Sequence, residues 1–127
     1  VNIVAEVDEF LVHRGSRCEI RFARIKGAPS AAKEGLAGLA ERDQRGFAVR
    51  FQSMCEVGHL RNPEQIRSLG GPIWEFKIGS GWRIGAFQDG NVWYLTHVFK
   101  KPGKKKLRKE IKRAKEIRDG HYAEESQ

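Results

Sequence analysis

The chain has 127 residues, 39% of them hydrophobic, with 24 basic and 16 acidic side chains and a formal charge of +8 at pH 7. That length suits a single domain spanning residues 1–127, and the longest apolar runs, such as Val92-Trp93-Tyr94-Leu95, fall far short of the roughly 18 residues of a membrane-spanning helix. With no apolar leader at the start and only two distant cysteines, Cys18 and Cys55, a cytoplasmic protein is expected, and disulfide scaffolds and zinc ribbons are excluded. His13, His59, His97 and His121 are equally scattered, so neither a metal site nor a cofactor is expected.

Residues 1–17 hold a short apolar stretch, Phe10-Leu11-Val12, without a clear period, and are expected to be poorly ordered. Cys18–Ile25 alternates, with Cys18, Ile20, Phe22 and Arg24 on one face, and reads as a strand with that face inward. Gly27-Ala28-Pro29-Ser30 is a turn whose serine can cap a helix running to about Ala40. A second helix is predicted over Gln44–Val57, where Phe47, Phe51, Met54 and Val57 recur at helical spacing, so the two form a helical hairpin. The second half changes period. Ile73–Ile78, Trp82–Phe87 and Val92–Phe99 are aromatic and β-branched runs separated by Gly79-Ser80-Gly81 and Asp89-Gly90, a three-stranded meander. After Pro102-Gly103 a helix resumes, with Leu107, Ile111, Ala114 and Ile117 on one apolar stripe and basic residues at nearly every other position. Residues 119–127 lack apolar anchors and are expected to fray. The order defines an α+β domain: an antiparallel sheet of one N-terminal strand plus the meander, helices segregated on one of its faces, and a basic C-terminal helix.

The charge is concentrated rather than spread. Lys100–Arg118 contains eleven basic residues against Glu110 and Glu116, a local +9, while the remainder holds 13 basic and 14 acidic residues. Such a footprint fits a polyanion, most commonly nucleic acid; a solvated helix face or an acidic protein partner fits it too. Lys104, Lys105 and Lys106 occupy the first turn of the last helix, where the macrodipole disfavours cations, so helix stability does not account for them. A phosphate backbone rewards both those lysines and the free N–H groups of that turn. Together with Lys100, Arg108 and Lys112 they form the candidate RNA-binding set.

Three segments carry a resemblance. Leu69-Gly70-Gly71-Pro72-Ile73-Trp74-Glu75-Phe76-Lys77-Ile78, then Gly81-Trp82-Arg83-Ile84, then Tyr94-Leu95-Thr96-His97-Val98-Phe99-Lys100-Lys101 resemble the RelE/ParE superfamily of bacterial toxins, in particular its phage-derived RelE-like branch with the HigB-type toxins. In that group a leucine-glycine turn leads into an aromatic-Glu-hydrophobic-basic strand, an aromatic-Arg pair opens the next strand, and an apolar strand ends in His-x-Phe and two lysines. The likeness covers roughly Leu69 to Lys115. It implies a small RelE-like domain, the toxin of a type II toxin–antitoxin pair, assembled with a cognate antitoxin. Members are either messenger-RNA endonucleases that act in the ribosomal A site or inhibitors of DNA gyrase, so a shared fold leaves both readings open. A non-toxic nucleic-acid-binding module is a third.

RNA cleavage without a metal uses the substrate's own 2′-hydroxyl, and the protein must move protons and stabilise charge on the phosphate. Arg83 matches the family's strand arginine, whose planar fork suits a phosphate or its pentacovalent transition state. If Gly79-Ser80-Gly81 closes the hairpin, Lys77 pairs opposite Arg83, and both project away from Trp74, Phe76, Ile78, Trp82 and Ile84 as a phosphate clamp. The alternative is an ordinary polar face on which Glu75, Lys77 and Arg83 pair with one another. Glu75 stands where some RNA-cleaving relatives carry a second basic residue; it can act as a general base or suppress the local potential. Lys101 matches a position often basic in the nuclease branch and, like Lys100, is suited to neutralise the leaving oxygen. His97 depends on register: a two-residue Asp89-Gly90 loop puts it on the core face with Trp93 and Leu95, the favoured option, whereas a three-residue loop through Asn91 puts it opposite Arg83 as an acid or base. The candidate catalytic set is therefore Arg83, Lys77, Lys101 and His97. The family's base-stacking tyrosine has no evident counterpart, since Leu107 lies near its place; Tyr94 and Trp93 are the available substitutes.

Overall fold

Six strands and three helices follow one another in a computed structural model that describes residues 8–125. They are β1 (Leu11–Arg14), β2 (Glu19–Phe22), α1 (Ala31–Ala37), α2 (Glu41–Val57), β3 (Ile66–Ser68), β4 (Trp74–Lys77), β5 (Trp82–Asp89), β6 (Val92–Lys100) and α3 (Lys104–Glu125). The expectations for residues 1–7 and 126–127 lie outside the described residues. The strands form one sheet in the order β1-β2-β6-β5-β4-β3.

The α+β class and the meander stand, with an unforeseen edge strand, β3, paired antiparallel to β4, and three further differences. First, the sheet is mixed: β2 runs parallel to β6, pairing Ile20 with Trp93 and Phe22 with Leu95, and the other neighbours are antiparallel. Alternation shows which side chains of β2 point inward but carries no information about its direction. Second, residues 11–14 form β1, hairpinned to β2. Gly15 makes this turn against the backbone of α2, where an added Cβ would lie 2.6 Å from the Cys55 carbonyl oxygen. Third, the helices do not share one face. Phe47, Phe51 and Met54 of α2 pack with Ile20, Phe76, Ile84 and Leu95 on one side. On the other, Ala114, Ile117 and Tyr122 of α3 pack with Ala23, Ile73, Phe87 and Tyr94. Central strands covered on both faces read as continuous apolar runs, which is why Val92–Leu95 shows so little alternation.

Local signals explain most element ends. Ser30 caps α1, its Oγ accepting from the Lys33 N–H at 3.2 Å. Helix α2 begins three residues earlier than predicted and stops at Gly58, whose φ of +90° suits a residue without a side chain. Val57 leaves the buried stripe and is 55% exposed, and Arg24 is exposed rather than inward. Cys18 and Cys55 are both buried, and burial pushes the Cys55 thiol up to about 12, far from thiolate chemistry. Residues 119–125 continue α3 instead of fraying. Their anchors are not aliphatic: His121 is buried and accepts the Arg24 N–H at 2.9 Å, and the Tyr122 hydroxyl donates to Asp89 at 2.9 Å. Among the described residues no helix is long and apolar enough to cross a membrane.

Candidate functional site

Lys77 and Arg83 lie directly opposite each other across the β4–β5 hairpin. Their neighbours Phe76 and Ile84 enter the core beneath α2, so by the two-residue period of a strand the two cations occupy the face away from it. Arg67 of β3 lies opposite Glu75 and joins the same row. Helix α3 packs on β5 and β6, and the corner it leaves holds a cleft of about 320 Å³. Its lining includes Arg50, Asn62, Gln65, Lys77, Arg83 and Lys101. Lys101 arrives as the residue after β6, its N–H bonded to the Gly81 carbonyl at 2.7 Å, and α3 begins three residues later.

Arg83 is held rigidly. Its side chain is 8% exposed, its Nε lies 3.4 Å from Glu75 Oε1, and its Nη1 donates to the carbonyls of Trp82 at 3.1 Å and Ile78 at 3.5 Å. Glu75 is fully buried, and the same oxygen accepts from Arg67 Nη2 at 3.1 Å. Lys77 donates from Nζ to the Pro63 carbonyl at 3.1 Å, and its own carbonyl accepts from Arg50 Nε at 3.1 Å. Partial burial, then the nearby Arg83 and Arg67 guanidinium groups, hold the Lys77 ammonium below the usual lysine value, against the pull of Glu75. The cleft thus offers several convergent cations, one of which gives up its proton more readily than a free lysine.

His97 is not brought into this cleft, and neither register considered from the sequence is the one formed. Asp89 pairs with Val92, leaving Gly90-Asn91 as the turn, and Trp93 and Leu95 join the α2-side core. A bulge between Ile84 and Ala86 then sets one residue of β5, Gly85, against an extra residue of β6, and Arg83 comes opposite Phe99. His97 is 1% exposed and stacks on Phe99 with ring centroids 5.0 Å apart. Its Nε2 lies 2.9 Å from Glu110 of α3 and its Nδ1 lies 3.0 Å from the Thr96 hydroxyl. A carboxylate only accepts, so Nε2 carries the proton and Nδ1 accepts from Thr96. Burial holds the imidazole below its ordinary value despite Glu110, with Arg113 adding to the shift, so the ring is a neutral strut between β6 and α3.

Lys104, Lys105, Lys106, Arg108 and Lys112 are all exposed along α3. Lys100 lies elsewhere, its Nζ 5.4 Å from the Trp82 ring centre. Trp93 is buried, and Tyr94 stacks on Phe87 within the α3-side core, so neither presents a free ring to the cleft. The sequence reading missed Arg50, which lines the cleft, and Arg67, which pairs with the buried Glu75 beside it. Arg50 carried a usable signal, because Asp43, Phe47, Arg50 and Met54 step by three or four and place it on the inward stripe of α2. Arg67 carried none, since its place depends on the pairing of a three-residue strand. Among the described residues no group of three or more His, Cys, Asp or Glu side chains is placed to hold a metal ion.

A family model described as phage derived protein Gp49-like (DUF891) matches residues 34–119, a span from α1 through most of α3 that contains the whole cleft. No curated protein matches the chain.

Proposed function

The chain belongs to this phage-derived Gp49-like family, a RelE-like family associated with the toxins of toxin–antitoxin pairs, and from that premise we propose that it is a type II toxin that cuts messenger RNA on the ribosome. The observation that carries the reading is the convergence of Arg50, Lys77, Arg83 and Lys101 on one cleft beside the start of a basic helix. A scissile phosphate seated there meets Arg83 Nη2, the nitrogen not engaged by protein carbonyls or Glu75. That guanidinium stabilises the charge that grows on the phosphate oxygens as the 2′-hydroxyl attacks. Lys77, whose proton is more labile than that of a free lysine, serves the proton transfers, and Lys101 neutralises the departing 5′-oxygen. The exposed lysines of α3 hold the flanking RNA backbone, and the antitoxin is a partner that covers the same cationic surface.

The test is primer extension on messages in a translating extract supplied with the purified protein. Discrete cleavages inside translated codons are expected. Lys101→Ala is the informative variant because Lys101 is exposed, so its loss spares the fold; the cleavage rate should drop on the order of 10- to 100-fold. Intact messages together with inhibited DNA gyrase would replace this reading with the gyrase-inhibitor one.

A further inference from the structure

The chemistry just described gives Glu75 no task. It is 0% exposed beneath the cleft, so it cannot reach a ribose hydroxyl, and a role as general base is closed to it by access alone. Its Oε1 is shared between Arg67 Nη2 and Arg83 Nε, while its Oε2 is buried without a hydrogen-bond partner. A buried carboxylate half satisfied in this way is costly, and an apolar residue would fill the place more cheaply if packing were all that mattered. On β5, the residue paired with Glu75 is Gly85, which offers no side chain, so the partners of the carboxylate are the arginines on either side.

We propose that Glu75 is a positioning residue for Arg83. The carboxylate and the carbonyls of Trp82 and Ile78 hold the guanidinium at three points and leave Nη2 as the edge that meets a phosphate. Arg67, exposed at the sheet edge, supplies the outer counter-charge. The trio keeps two cations against one anion, and on the cleft wall Arg50, Lys77 and Lys101 outnumber Glu64, so Glu75 aims the cleft without cancelling its positive potential. This assignment rests on the reading of the cleft as an RNA site, but its geometric part can be examined separately.

The first measurement is NMR of the wild-type arginine Nε–Hε groups. Arg83 should exchange its Hε at least about tenfold more slowly than Arg45, which sits in an exposed ion pair with Glu41, and should be shifted away from it. In Glu75→Gln, which keeps the shape and removes the charge, that protection should collapse. A wild-type Arg83 signal that exchanges like Arg45 overturns the proposal, and this result needs no variant to fold. The second measurement is RNA cleavage by Glu75→Gln. KM should hold or fall, because the cleft gains one positive charge, while kcat drops by a factor on the order of 10 to 100 as the fork loses its aim. The pH profile should keep its shape. A rise in kcat would make Glu75 a suppressor, and loss of one limb of the profile would make it a proton-transfer group; either overturns the proposal. A wild type that protects Arg83 yet cleaves no RNA upholds the positioning and defeats the RNA reading. Cleavage with an unprotected Arg83 does the reverse.

Discussion

His97 illustrates how much a single side chain's role depends on its neighbours rather than its chemistry. As a free imidazole it would titrate at 6.5; buried between Thr96, Phe99 and Glu110 it holds a proton less readily. The unfolded chain therefore binds more protons than the folded one between the depressed folded value and 6.5. Stability from this residue is complete above that window and is lost as pH falls through 6.5 toward the folded value. The urea midpoint should be lower at pH 5.5 than at pH 7.5, and His97→Gln should shrink the difference; an unchanged difference would place the titration elsewhere. Arg83, Lys77 and Lys101 were legible in the sequence because strand pairing and a family pattern converge on them. Arg50 was legible only as an oddity on an apolar stripe, and Arg67 not at all.

At the scale of elements, the β5–β6 ladder turns on one glycine. An added Cβ at Gly85 would lie 2.5 Å from the Thr96 hydroxyl, in the bulge that turns His97 toward α3, whereas one at Gly79 meets nothing within 4 Å. Gly85→Ala should lose roughly 1–3 kcal/mol in chemical denaturation, and Gly79→Ala should stay near wild type. Helix α3 makes the opposite trade between stability and function. Its first turn has no acidic residue and begins with Lys104, Lys105 and Lys106. Replacing the three by glutamate should stabilise the helix by about 0.3–1 kcal/mol each at low salt. The same change should abolish RNA retention, measured by titration with a labelled oligonucleotide. Raised melting temperature with unimpaired binding would show that the first turn does not meet RNA. Bulges leave little trace in hydrophobic pattern, which is why the register of His97 was open until the strands were paired.

The described residues form three layers, α1 and α2 on one side of the sheet and α3 on the other, and His121 and Tyr122 near the end of α3 complete the second core. Truncation after Arg118 removes His121 from its place against Phe87 and Tyr94, 5.6 and 4.3 Å away between ring centres, and removes the Tyr122 bond to Asp89. A loss of at least about 3 kcal/mol in unfolding free energy is expected; wild-type stability would mean that α3 is anchored by its apolar stripe alone. The sequence by itself determined the α+β class, the helical hairpin, the meander, the pairing of Lys77 with Arg83 and the concentration of charge in the last helix. Those features are local: periodicity, turn residues and caps act over a few positions of chain. Only the tertiary structure decided that β2 is parallel to β6, that α3 crosses the face opposite α2, that His97 is buried against Glu110 of α3 and not brought into the cleft, and that Arg50 lines the cleft while Arg67 pairs with Glu75. Each of these depends on which distant segments pack together, and burial energy, being non-directional, leaves that choice to the assembled core.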